Sequence, residues 1–165
     1  GAPGTVSPLE IPLPDGTKAY VYGIADRVDI CRRGNDVYVR VVDYKTGSRE
    51  FSLYDISLGL NLQMLLYLFS IWKDRGGNFR RTLGITGDII PAGVLYCTAK
   101  PAEVSVTPEA GESDVLAKVA DTLKRRGMAI GDETVLRMME RNLAGKYIPV
   151  TLKKDGTLKT SLTLE

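Results

Sequence analysis

The 165-residue sequence contains no histidine. That absence excludes Ser-His-Asp and Cys-His triads, histidine-ligated zinc and imidazole acid–base chemistry. Only two cysteines are present, Cys31 and Cys97. They are too few for a disulfide framework or for a four-thiolate metal cluster within the chain. No apolar run reaches transmembrane length, and the N-terminal residues lack the charged-then-apolar pattern of a signal peptide. Internal repeats and low-complexity tracts are also lacking. The net charge is only +2, a mildly basic balance that does not by itself point to nucleic acid. Any catalysis therefore falls to carboxylates, lysine, tyrosine or a metal held by oxygen ligands. The length is enough to bury a core without staples. One domain over residues 1–165 is expected, and the Met-less start at Gly1-Ala2-Pro3-Gly4 suggests a piece of a longer chain.

Local patterns give an element order. Leu9 to Leu13 reads as a short strand, and Pro14-Asp15-Gly16-Thr17 as a turn. Ala19 to Ile30 reads as a long strand, Arg32 to Asp36 as a hairpin loop, and Val37 to Lys45 as a β-branched strand. Tyr54 to Lys73 reads as one buried helix, because leucines surround it. Arg75 to Asp88 is a polar loop, and Pro91-Ala92-Gly93 leads into a strand from Val94 to Thr98. The order to that point is β-β-β-α-β, an α/β arrangement. Beyond it, Asp114 to Arg126 is expected to be helical. Asp132 caps a helix to about Leu143, and Tyr147 to Leu152 with Thr157 to Leu164 form a terminal hairpin.

Two strand faces end in charge. With a period of two, Asp26 shares a face with Tyr20, Tyr22, Ile24, Val28 and Ile30. Val37, Val39 and Val41 continue into Asp43 and Lys45. Asp29 has the opposite parity and lies with Arg27, as a solvated or arginine-paired carboxylate. Charge on a buried face is paired, neutralised or metal-bound. One account is a buried Asp–Lys ion pair plus an aspartate at a strand end. The other combines Asp26 and Asp43 as carboxylate ligands of a hard cation, with the Tyr44 backbone carbonyl as a third ligand. Lys45 then stabilises charge developing on a phosphate.

Four segments carry a resemblance. They are Gly23-Ile24-Ala25-Asp26-Arg27-Val28-Asp29, Val41-Val42-Asp43-Tyr44-Lys45-Thr46-Gly47, Gln63 with Tyr67, and Pro91-Ala92-Gly93-Val94-Leu95-Tyr96. In order and spacing they resemble the PD-(D/E)XK nuclease superfamily, its RecB-like branch, and within that the AddB (RexB) type of nuclease domain. Ile148-Pro149-Val150 and Lys153-Lys154-Asp155-Gly156 resemble the tail of that type. The resemblance implies a restriction-endonuclease-like fold, a mixed central sheet with flanking helices. The core spans about 9–98, with C-terminal helices and hairpin over about 113–165. The first core helix, with its metal-site residue, is expected to lie outside this sequence.

The resemblance also implies roles. Asp26 and Asp43 are metal ligands with the Tyr44 carbonyl, Lys45 is the catalytic lysine, and Gln63 and Tyr67 support the active site and contact DNA. Arg27, Arg32, Arg33, Arg80 and Arg81 are candidate phosphate contacts as a group, although any single one of them reads first as a solvated surface residue. The expected cofactor is Mg²⁺ or Mn²⁺. The 4Fe–4S cluster of many relatives is expected only in the parent's flanks, with Cys31 and Cys97 as ordinary small residues. The expected function is metal-dependent DNA exonuclease action in a bacterial, cytoplasmic helicase-nuclease that processes broken ends. Its partners are DNA and an AddA-like subunit, with no membrane. Two other readings are a non-cleaving scaffold of nuclease fold and a stand-alone RecB-like exonuclease such as those of phages.

Overall fold

The computed structural model describes residues 6–46, 51–75, 77–99, 103–159 and 163–164. The chain divides into two compact units, Gly1–Val42 with Leu53–Val94 and Asp43–Ser52 with Leu95–Glu165. In chain order the elements are β1 (Leu9–Pro12), β2 (Lys18–Val21), β3 (Arg27–Arg33), β4 (Asp36–Lys45), α1 (Leu53–Ser57), α2 (Gln63–Trp72), α3 (Asn78–Thr82), β5 (Ile89–Thr98), α4 (Glu112–Thr122), β6 (Arg126–Ile130), α5 (Glu133–Met139) and β7 (Thr163–Leu164). β1 and β2 form their own antiparallel pair, and β3-β4-β5-β6-β7 are hydrogen-bonded in that order. The larger sheet is mixed: β3 and β4 are antiparallel, whereas β6 and β7 are parallel. Among the described residues no helix is long and apolar enough to cross a membrane.

In the first unit the core is built on β4. Val37, Val39 and Val41 are fully buried. Met64, Leu68 and Ile71 of α2 are buried with them, as are Val42, Phe79, Ile85, Ile89, Ala92 and Val94. The β3–β4 hairpin turns on two residues, Gly34 and Asn35, between the paired Arg33 and Asp36. Gly34 takes φ +61°, the left-handed conformation that glycine adopts without penalty. The hairpin tip is tied down locally. The Asn35 carbonyl accepts the Gly87 N–H at 3.0 Å, and Asp36 Oδ1 accepts the Asp88 N–H at 2.9 Å.

Three expectations for this unit are corrected. The strand expected over Ala19 to Ile30 is two strands, because residues 22–26 leave the ladder. Its supposed apolar face is open: Tyr20, Tyr22 and Ile24 are exposed. The helix expected over Tyr54 to Lys73 is broken into α1 and α2. Gly59 (φ +79°) and Asn61 (φ +56°) both take the left-handed conformation, which a right-handed helix cannot contain. Leu58 and Leu60, read as core, are exposed in that break. The expected loop after Arg75 holds a short helix, α3, whose Phe79 is buried.

The second unit buries Leu95, Met128, Ala129, Val135, Leu136, Leu143, Ile148 and Val150. The Asp132 cap is present: its Oδ1 accepts the Thr134 N–H at 2.8 Å and the Val135 N–H at 3.2 Å. The helix it starts stops at Met139, short of Leu143, which has φ +48°. β6 was not expected. The terminal hairpin is reduced to isolated bridges, Ala144 with Thr151 and Leu152 with Leu158, and Thr163–Leu164 pairs with β6 instead.

Candidate active site

The end of β4 places Asp43 and Lys45 on the face that Val37, Val39 and Val41 bury. Asp43 is only 7% exposed. Lys45 Nζ lies 2.6 Å from Asp43 Oδ2. The approach is ionic and not aligned as a hydrogen bond, so Oδ2 accepts no hydrogen bond among the described residues. The Tyr96 ring of β5 stands 5.8 Å from the same ammonium, and Phe51 tilts against that ring at 6.2 Å between centroids. Lys45 thus sits between an anion and an aromatic face. The Tyr44 side chain points the other way and is exposed, as alternation requires. Tyr96 was part of a recognised segment without an assigned role, and Phe51 was not singled out.

The first unit presents the other segments. Asp26 is exposed, in a bend immediately before β3. The β3–β4 ladder ends on Arg27 paired with Val42. Gln63, expected inside an apolar helix, is the first residue of α2 and exposed. Its Nε2 donates to the Tyr67 hydroxyl at 2.7 Å. The Tyr67 ring is packed directly on Gly23. A Cβ built at Gly23 would stand 2.1 Å from Tyr67 Cε1, closer than atoms can approach. So the structure brings the Gly23–Asp26 segment and the Gln63–Tyr67 helix together, with glycine as the seat.

That seat gives a prediction. Gly23→Ala should cost about 1–3 kcal/mol, as overpacking does, and should displace Tyr67. Chemical denaturation checks it. The Gly23→Ala, Tyr67→Ala double variant should lose less than the sum of the single losses. Strict additivity would show that the two residues do not meet.

The arginines divide by environment. Arg27 pairs with Asp29 at 2.6 Å, and Arg40 reaches the same carboxylate at 2.7 Å. Burial pushes the Asp29 carboxyl up, but the hydrogen bonds and charges of Arg27 and Arg40 outweigh it and hold it below the ordinary value. The Arg80 guanidinium donates to the carbonyls of Asp74, Ile85 and Gly87, so it braces the α3 segment. Arg32 is bonded to the Leu83 carbonyl. Arg81 is exposed, and neither Cys31 nor Cys97 forms a disulfide.

The donor set fits a hard divalent cation in chemistry: a buried carboxylate oxygen on Asp43 that accepts no hydrogen bond among the described residues, with the Tyr44 backbone carbonyl next to it in sequence. Among the described residues no three His, Cys, Asp or Glu side chains gather, so backbone carbonyl and water would have to complete the shell.

Comparison with known proteins gives the family. The family model of the PD-(D/E)XK nuclease superfamily matches residues 3–150. An ATP-dependent helicase/deoxyribonuclease subunit of Clostridium acetobutylicum is 30% identical over 96% of this chain and 13% of its own length. Proteins of the same description from Bacillus cereus (strain AH187) and Clostridium kluyveri are 34% and 33% identical over 95% and 98% of this chain. The chain spans 13–14% of the length of these curated relatives. With its mixed sheet, its D-Y-K strand end and a family match over most of its length, the chain belongs to the PD-(D/E)XK nuclease superfamily.

Proposed function

We propose that this chain is the metal-dependent DNA-cleaving domain of a bacterial helicase-nuclease subunit. In that reading it trims broken DNA ends for recombinational repair, in the cytoplasm and beside an AddA-like partner subunit. The observation that carries it is Asp43 Oδ2, buried and unbonded apart from the Lys45 ammonium at 2.6 Å. The Lys45 ammonium balances its charge, and the oxygen's unfilled lone pairs are what a hard cation would take up. The relatives' description as helicase/deoxyribonuclease subunits supports the choice of DNA as substrate.

Asp43, Asp26 and the Tyr44 carbonyl would hold Mg²⁺ or Mn²⁺. The bound ion would supply Lewis acidity at a phosphate oxygen and a more acidic water. Lys45 balances charge on the phosphate and holds a proton donor at Nζ. Gln63 and Tyr67 present an amide and a phenol from one face of α2, four residues apart, for orientation of the strand.

The test is degradation of single-stranded DNA with added Mn²⁺, paired with thermal melting. A chelator should abolish cutting. Mn²⁺ at about 100 times its Kd should stabilise the wild type by about 2.7 kcal/mol, and Asp43→Ala should lose that stabilisation along with cutting. Metal-dependent cutting that survives Asp43→Ala would remove the site assignment. Mn²⁺ binding and DNA binding without any cutting would favour the scaffold reading instead.

A further inference from the structure

Two adjoining cavities in the first unit share only Tyr67 with the chemistry above. The first, about 320 Å³, is lined by Tyr22, Ile24, Tyr67 and Phe79. Its size is at the small end of ligand sites, which run about 300–1,000 Å³. Tyr22 is 76% exposed and Ile24 is 87% exposed, so aromatic and aliphatic surface stands open within four residues of Asp26. The second cavity carries Lys73, Arg75 and Arg81. Ser7, Pro8 and Ser70 line both, so an apolar cavity and a cationic one share a wall.

The charge balance of the second cavity favours an anion. Its two acids are engaged elsewhere. Glu10 pairs with Lys18 at 2.7 Å, and Asp74 is buried and accepts the Arg80 N–H at 3.2 Å. Lys73 rests over the Trp72 ring at 4.2 Å. No ion pair of Arg75 or Arg81 occurs among the described residues, and both are exposed. An apolar, aromatic cavity sharing a wall with one that carries three cations and two acids matches a nucleotide, which joins a flat base to a phosphate.

We propose that these cavities form a nucleotide subsite for single-stranded DNA, with a base stacked on Tyr22 and the adjoining phosphate held by Arg75 and Arg81. The inference rests on the nuclease reading for its choice of polymer, and adds a base-contacting residue upstream of Asp26. Stacking on one aromatic side chain tolerates any base, which suits an enzyme that moves along a strand.

The experiment is fluorescence anisotropy with a short oligothymidylate and an abasic oligomer of equal length, using the whole chain. Tyr22→Ala should weaken oligothymidylate binding by about tenfold, within the range of one base–aromatic stack. It should leave abasic binding unchanged, and Tyr22→Phe should restore the wild-type value. The Arg75→Ala, Arg81→Ala double variant should weaken both ligands. For each, it should also reduce the slope of log K against log salt, by about 0.7 per lost phosphate contact. Equal binding of both oligomers by wild type and Tyr22→Ala would overturn the subsite and leave the surface to a protein segment. The same Mn²⁺ cutting assay separates the two readings. The binding pattern with neither cutting nor any Mn²⁺ stabilisation that Asp43→Ala removes upholds the subsite and counts against the nuclease reading. Cutting that depends on Asp43 and Lys45, with no effect of Tyr22→Ala on binding, does the reverse.

Discussion

Lys45→Ala should lower DNA cleavage by about 10²- to 10³-fold, the usual loss when one charge-stabilising donor is removed from a reaction centre. The ammonium is 2.6 Å from a carboxylate oxygen that accepts no hydrogen bond from the described residues. Removing it also leaves Asp43 buried without its counter-charge, so stability should fall as well. Lys45→Arg separates the two effects. Guanidinium keeps the charge and can pair with Asp43, but its planar fork cannot put a single donor where the ammonium stood, and it does not give up a proton. Stability should therefore be largely retained while cleavage stays low. The measurements are single-turnover cutting with Mn²⁺ and urea denaturation of the three proteins. Cleavage by Lys45→Ala at the wild-type rate would show that Lys45 only balances Asp43.

Glu140→Ala should cost about 3 kcal/mol of folding stability, the scale of hydrogen bonds to a charged group. Glu140 is 7% exposed. Oε1 accepts the Lys146 N–H at 2.9 Å, and Oε2 accepts the Tyr147 and Ile148 N–H groups at 2.8 and 3.1 Å. Those bonds fix the turn that delivers Ile148 and Val150 to the core of the second unit. Burial pushes the Glu140 carboxyl up, but backbone N–H donors outweigh it, and the group titrates below its ordinary 4.5. The folded state thus binds fewer protons than the unfolded one. The stability from Glu140 is complete above the unfolded value and is lost as pH falls through the lower, folded value. Glu140→Gln should be less stable than wild type near neutrality, and the gap should narrow in acid. Urea midpoints at neutral and at acidic pH measure this. A gap independent of pH would mean that the carboxylate charge is not what holds the turn.

Alternation along β4 was legible because one strand carries the whole message. Val37, Val39 and Val41 set the parity, and Asp43 and Lys45 inherit it. The pairing of Asp29 with Arg27 was one of two readings for the same reason, since the two are two apart on one strand, whereas Arg40 comes from the neighbouring strand. Patterns failed where a single residue overrides its neighbours. Alternation across Tyr20, Tyr22 and Ile24 mimics a strand, yet Gly23 must lie close under the Tyr67 ring and that segment leaves the ladder. Leucine density between Tyr54 and Lys73 mimics one helix, and only the conformations of Gly59 and Asn61 divide it. β6 was hidden because Arg126-Gly127 looks like a helix end, and its burial depends on strands distant in sequence. The recognised segments Gly23–Asp26 and Gln63–Tyr67 were visible as text. Their mutual packing required the fold.

The break before α2 has a consequence for how this protein tolerates changes in length. In an unbroken helix each inserted residue rotates everything downstream by about 100°. Gln63 and Tyr67 would then lose their heading with any insertion upstream. Here α2 starts afresh after Asn61, and the Tyr67 ring is indexed by its seat on Gly23. The rotational phase of the Gln63–Tyr67 pair is therefore uncoupled from α1. Insertions or deletions between Ser57 and Asn61 are absorbed as loop length, whereas one residue added between Gln63 and Tyr67 would turn the amide and the phenol away from each other.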